Sequence, residues 1–346
     1  MSKREMLEIQ LSPIAGDRFQ PTGFPDIGPE LYQRPITSSE GEPSWEECLL
    51  VESAQSMANH LEASVWDIGK QEPIAAFTGL PYVRVIDNDG NYLTSSRSEP
   101  HRLASGFIKD SKLDGVSMMD VIKERLGLKD NIPLAPREIA KAIFAFDPMC
   151  LVHGVFFADS KWPGQPKVSR ALTSFVEAHD VRSAISGGVK RDDVQHSSEH
   201  GAGGASENYG FVPFHRTEFV ARKVVASFVL DLSQISSYGF DENITELLEV
   251  AARLEIRSLL EKGFRPRTAC DLVPTDPSVV ESALPSVEEL TDRLQVLIGL
   301  CNDSLGTGEP IDVIWDPKNT KSRAKKGSAL LEETSDTDGD EDGSER

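Results

Sequence analysis

Two strand-like runs, residues 168–178 and 218–232, bracket a stretch from 186 to 210 in which hydrophobic periodicity vanishes. Patterned β segments on both sides require a sheet, and the connection between them is longer than the roughly 12 to 15 residues that compact domains normally leave without structure. Such a segment is either functional or mobile. Gly187, Gly188, Gly201, Gly203 and Gly204 allow backbone geometries and close approaches that a Cβ would block, while Lys190, Arg191, His196 and His200 supply donors. That residue chemistry suits a polyanion, and the alternative is an idle surface loop.

The rest of the chain bounds what the sheet can belong to. It has 346 residues with 39% hydrophobic content, enough for one large domain or two smaller ones with a real core. A formal net charge of -20 argues against indiscriminate nucleic-acid binding, so any polyanion must be held locally. Acidic residues crowd the C-terminal end, just after a basic run at Lys318, Lys321, Arg323, Lys325 and Lys326. Residues 318–346 therefore read as a solvated basic-then-acidic tail, and residues 1–317 as the folded body. Cys48, Cys150, Cys270 and Cys301 form no C-x-x-C pair, which argues against a zinc ribbon or disulfide scaffold and fits a reducing cytoplasm. No export signal or membrane-spanning run is visible, and no cofactor motif is found.

Along the chain, Leu7, Ile9 and Leu11 alternate with polar residues as a first strand. The prolines and glycines of residues 16–30 then forbid regular structure. Apolar spacing predicts helices over 50–65, 117–128, 136–146, 242–262 and 287–301. Residues 81–96 read as two strands around an Asn-Asp-Gly turn. Residues 151–158 and 311–315 read as strands, and an Arg-rich strand is expected near 265. Order and lengths indicate a mixed α+β fold with an antiparallel sheet and sizeable insertions.

Several segments offer donors. The proline-stiffened strap places Arg18, Gln20 and Thr22 where they can meet phosphate or ribose at little ordering cost; the alternative is a packing loop plugged by Phe19 and Phe24. The first helix carries Gln55, Ser56 and Asn59, neutral groups where a solvated face normally carries Lys and Glu. His101, Arg102 and Ser105 follow the hairpin, His215 and Arg216 follow the glycine-rich stretch, and Arg265 and Arg267 lie in GFRPRTACDL. Each can contact a phosphate backbone or simply sit on a surface.

Enzymatic patterns are weaker. HSSEH lacks the glutamate position of a zincin motif, and neither a phosphate-binding P-loop nor a G-x-S-x-G elbow occurs. His153 in an apolar run reads as a core histidine. Glu177, His179 and Asp180 are adjacent, but neighbours in a strand point to opposite faces.

Six segments in order resemble one family: RFQPTGFPDIG at 18–28, LVESAQSMANHLE at 50–62, HRLAS at 101–105, LVHGVFF at 151–157, SGGVK at 186–190 and RTACDL at 267–272. Together they are similar to the guide-RNA-binding backbone subunit (Cas-seven group, RAMP superfamily) of type I-G CRISPR effector complexes, formerly type I-U. The resemblance implies an RRM-like, ferredoxin-type antiparallel palm with inserted finger and thumb elements, the 80–96 hairpin or the glycine-rich stretch serving as thumb. It also implies copies stacked along one CRISPR RNA in a helical filament, pairing with target DNA through the guide. The other partners it implies are a large subunit, a fused guide-processing subunit and a helicase-nuclease. Base pairing then supplies specificity while the protein holds backbone and shape. RAMP relatives that cleave RNA use an acidic loop residue, and Asp192 and Asp193 are the candidates for that rival reading, a RAMP endoribonuclease; the resemblance implies no catalysis.

Overall fold

The computed structural model describes residues 3–23, 27–37, 41–190 and 212–316 and divides the chain into two compact units. One comprises Met1–Thr78 with Arg170–Leu300, the other Gly79–Ser169 with Cys301–Arg346. Residues 79–169 of the second thus interrupt the first in the chain, and its remainder follows Leu300. The expected tail, 318–346, lies outside the described residues.

The first unit is built on seven antiparallel strands: β1 (Arg4–Pro13), β2 (Leu31–Thr37), β3 (Pro43–Glu52), β4 (Leu172–Lys190), β5 (Val212–Asp231), β6 (Phe264–Arg267) and β7 (Cys270–Pro274), in the order β6-β7-β1-β5-β4-β3-β2. Its helices include α1 (Ala54–Ser64), α2 (Glu242–Lys262) and α3 (Val287–Leu300). Taken along the chain, β1, α1, β4, β5, α2 and β7 make a βαββαβ series whose four strands lie in the order β7-β1-β5-β4.

Alternation in β1 sets which face is covered. Leu7 stands opposite Phe228, Ile9 opposite Ala226 and Leu11 opposite Val224, and α1 and α2 pack on that side; the intervening Glu8 and Gln10 are exposed. An ion pair ties helix to strand on the covered side: Arg253 of α2 grips Glu5 of β1 with both ends of its fork, at 3.0 and 2.6 Å. The two helices start on side-chain caps, since Ser53 Oγ accepts from Ser56 N–H and Asp241 Oδ1 from Ile244 N–H. Gly263, at φ 80°, ends α2 and turns the chain into β6. Leu247, Leu248 and Leu254 of α2 are fully buried, each side chain contributing about 1.5 to 3 kcal/mol of transfer free energy.

The second unit holds a five-stranded sheet in which Ile311–Ile314 runs parallel to Val83–Ile86 and bridges to Lys112–Leu113. Arg84 and Asp312 fasten that parallel pair at 2.6 and 2.8 Å. Helices Met118–Arg125 and Pro136–Phe146 fall where apolar spacing puts them. Asp147 is buried, accepts from Ser96 Oγ and Met149 N–H, and pairs with buried Arg97 at 2.7 Å. Among the described residues no helix is long and apolar enough to cross a membrane, and all four cysteines are buried and outside any disulfide.

Three expectations need correction. Residues 151–153 are helical, in Met149–His153, and not a strand; Asp147 starts that helix and Gly154, at φ 79°, stops it, so a run buried on all sides lost the period that separates the two states. His153 is fully buried there, as a core histidine should be. Leu50 belongs to β3, since the helix begins only after the Ser53 cap. Residues 186–190 continue β4, so the glycine-rich stretch opens as strand, and only 191–211 fall outside the described residues.

Candidate nucleic-acid interface

The strap that crosses the first unit is pinned through its backbone. Phe19 exchanges both hydrogen bonds with Phe219 of β5 (2.9 and 2.8 Å), Gln20 N–H donates to Ala269 O at 2.7 Å and Thr22 N–H to Val51 O at 2.8 Å. Extended geometry then alternates the side chains: Phe19 and Pro21 are buried, while Arg18 is exposed and Gln20 and Thr22 half-buried. Phe19 plugs the core, as the packing alternative has it, and the three donors face outward. Phe24 lies outside the described residues.

The strap ends beside a long two-stranded ribbon. β3 pairs with β4 only over residues 176–179 and β1 with β5 only over 224–231, yet β4 and β5 stay paired to Lys190 and Val212. The outer half therefore extends past its sheet neighbours. Gly187, which is exposed, stands opposite His215; Gly188 opposite Phe214; Ser186 opposite Arg216. Arg191 lies outside the described residues.

Charge distribution singles this ribbon out. The last thirty residues, 317–346, hold six basic and eight acidic side chains, so they account for -2 of the total and the body carries -18. The acidity is thus not a property of the tail. Within that acidic body, residues 180–190 and 212–223 contain Arg182, Lys190, Arg216, Arg222 and Lys223 against Asp180 and Glu218, a local excess of +3. Arg182, Arg222 and Lys223 were not singled out from the sequence; the visible signal was cations alternating with small and apolar residues at the root of a long strand.

Two carboxylates organise the arginines. Glu218, whose side chain is 5% exposed, pairs with Arg216 Nη2 at 2.8 Å and Arg18 Nη1 at 3.2 Å. Asp180, at φ 50°, takes exposed Arg222 at 2.8 Å and exposed Arg182 at 3.4 Å. A cleft of about 400 Å³ opens between strap and ribbon, lined by Arg18, Arg216, Glu218, Asp17 and Asp271 among others. Glu177 accepts from Tyr32 Oη at 2.7 Å. His179 stands two residues along; burial, with Arg34 nearby, holds its imidazole below the usual value of 6.5.

At the other end of the strap lies α1. Gln55 and Asn59 are exposed and Ser56 half-buried, so the neutral face is present as expected. Arg265 is also exposed. Arg267 is not an open donor: Nη1 bonds Gln20 O at 3.0 Å and Val51 O at 3.2 Å, and Nη2 meets the buried carboxylate of Glu52. Its role is to lock strap to sheet. His60 sits edge-on to Phe264, centroids 5.0 Å apart, and burial pushes its pKa down, with Glu52 opposing and Arg267 reinforcing that shift. Burial likewise pushes the neighbouring Cys270 thiol up to about 12.

The 101–105 segment belongs to the second unit and behaves differently. His101 is exposed, but Arg102 is 5% exposed, at φ 50°, and donates to Gly154 O at 3.3 Å. Ser105 is buried; it accepts from Phe107 N–H and donates to Glu99 Oε2 at 2.8 Å. The phosphate contacts expected of Arg102 and Ser105 are replaced by internal ones, because both side chains are needed to satisfy buried main-chain and carboxylate groups. The 80–96 hairpin is likewise part of the second unit's sheet.

The family model for CRISPR-associated protein GSU0053 matches residues 6–183, a little over half of the chain. The chain belongs to this family. Four of the six motif segments fall inside the match, and the resemblance to a CRISPR-associated protein of the Cas-seven group is borne out. Among solved structures, a chain of a "CRISPR RNA-guided surveillance complex, pre-nicking" is similar over 81% of this chain and 76% of that one, at 10% identity and a TM-score of 0.33, a level that decides nothing about the fold. No curated protein matches.

Proposed function

We propose that the chain is a backbone subunit of a type I-G Cascade-type effector complex, binding the guide RNA without chemistry of its own and stacking in copies along it in the cytoplasm. The carrying observation is the convergence of Arg18, Gln20, Thr22, Arg216 and the root of the β4–β5 ribbon on one basic island of an otherwise acidic body. Phosphate contacts of this kind position a strand without reading it, which suits a protein whose specificity is delegated to base pairing. The order β7-β1-β5-β4 of a βαββαβ series supports an RRM-like palm, and the ribbon, which outruns its sheet, supports a thumb at that position. Gln55, Ser56 and Asn59 add neutral donors on the first helix, and Gly187, Gly188, Lys190 and His215 occupy the paired ribbon beyond Arg216. Target DNA would meet the protein through the guide, with the large subunit, guide-processing subunit and helicase-nuclease as further partners.

The test is to purify the full chain from cells carrying its CRISPR array and measure the nucleic acid that accompanies it. RNA of uniform length with several protein copies each is expected, and labelled precursor repeat RNA should be bound uncut. RNA-free monomers would sink the reading, and cleavage of the precursor would replace it with the endoribonuclease.

A further inference from the structure

We infer that Glu218 is a positioning residue of the RNA surface: its buried carboxylate holds Arg18 of the strap and Arg216 of the ribbon as one preformed seat for an internal phosphodiester. The inference rests on the RNA-binding reading above. An acidic side chain inside a phosphate site is at first sight a liability, since it repels the ligand. Here the geometry gives it another task. Glu218 Oε1 takes Arg216 Nη2 at 2.8 Å and Oε2 faces Arg18 Nη1 at 3.2 Å, while Oε2 and Arg216 Nε are both buried without a hydrogen bond. The arginines themselves remain 59% and 38% exposed, so each guanidinium is held on its inner side and open on its outer one. All three residues line the same cleft of about 400 Å³.

The charges of the seat select its ligand. Arg18 and Arg216 against Glu218 give the triad a surplus of one positive charge, but Asp17 and Asp271 bring the charged side chains of the lining to -1, so a singly charged phosphodiester meets the least repulsion. A terminal phosphomonoester, close to -2 at neutral pH, meets more. The site therefore favours the interior of a strand over a strand end or a free nucleotide. Holding long, flexible arginines before the ligand arrives also removes an ordering cost that binding would otherwise carry.

The sign of one substitution separates this from simple repulsion. In the full-length protein, Glu218→Gln removes a negative charge from an RNA surface, so repulsion alone predicts tighter binding of a labelled single-stranded RNA. The positioning role predicts binding weakened about tenfold, with the slope of log affinity against log salt reduced by about 0.7 for one lost phosphate contact. In an Arg18→Gln background the same change should have no more than about a threefold effect, since the two act as one unit. Thermal melting checks that the variants fold; should Glu218→Gln fail to fold, Glu218→Asp, which shortens the reach to Arg18, takes its place. Equal or tighter RNA binding with an unchanged salt slope overturns the inference while leaving the RNA-binding role intact. Loss of binding to a basic peptide alone, with RNA unaffected, overturns it in favour of a protein ligand. Wild-type protein that binds no RNA overturns the functional reading itself. In competition, a 5′-mononucleotide should displace labelled RNA less well, per phosphate, than an oligonucleotide lacking terminal phosphates; the reverse order overturns the phosphodiester preference.

Discussion

Arg18 and Arg102 look alike in the sequence, each flanked by an aromatic or apolar residue and each within a segment rich in hydrogen-bonding groups, but they have opposite fates. Arg18 is 59% exposed on a strap pinned by its backbone, whereas Arg102 is 5% exposed and donates to the main chain of the second unit. The difference lies in what satisfies the buried polar groups nearby. In the strap, Arg267 and main-chain pairing do that work and leave Arg18 outward; around residues 99–105, Arg102 and Ser105 must do it themselves.

The sharpest way to break this comparison is to remove the internal anchors. Glu52→Ala leaves Arg267 beside the strap without its buried carboxylate and should cost about 3 to 5 kcal/mol in denaturant unfolding; a loss below about 1 kcal/mol would mean the pair is solvated. Arg102→Ala should destabilise by about 2 to 3 kcal/mol through lost packing and orphaned carbonyls, with RNA affinity per folded molecule unchanged. A selective loss of RNA affinity would restore Arg102 to the interface.

Arg18→Glu is the counterpart. Stability should move by no more than about 1 kcal/mol, because Arg18 is exposed and the buried Glu218 keeps Arg216 as a partner, while low-salt RNA affinity should fall about tenfold or more for every guide sequence tested. Dependence of that loss on guide sequence would contradict a phosphate contact.

Acidification sharpens the comparison further. His60 and His179, both in the first unit, are held below 6.5 by burial. Between those lowered values and 6.5 the unfolded chain binds more protons than the folded one, so their contribution is fully present above about pH 6.5 and lost as pH falls through the lowered values. Urea melts at pH 7.5 and 5.5 should show this decline, and His60→Gln should flatten it; greater stability at pH 5.5 would reverse the sign. The smallest effect is expected at α1, where Gln55→Ala and Asn59→Ala should leave stability within about 0.5 kcal/mol and reduce RNA affinity only a few-fold, as read by filter binding.

Much of the framework was legible because its signals are local. The alternation of β1, the period of α2 with its Asp241 cap and Gly263 stop, and Pro136–Phe146 all fall where spacing places them. The β2–β3 hairpin was not anticipated; Pro35 is tolerated there because β2 is an edge strand. The strand reading of residues 151–158 failed at 151–153, where a segment buried all round carries no period, and held at Val155–Phe156.

By itself the sequence determined most of the element types, the α+β class, the family and the supply of donors in the strap, ribbon and first helix. Only the tertiary structure decided which donors are open, because burial depends on partners hundreds of residues away. Arg267 is taken up by Glu52, 215 positions distant, and Glu218 gathers Arg18 from the far end of the chain. No local pattern encodes such pairings.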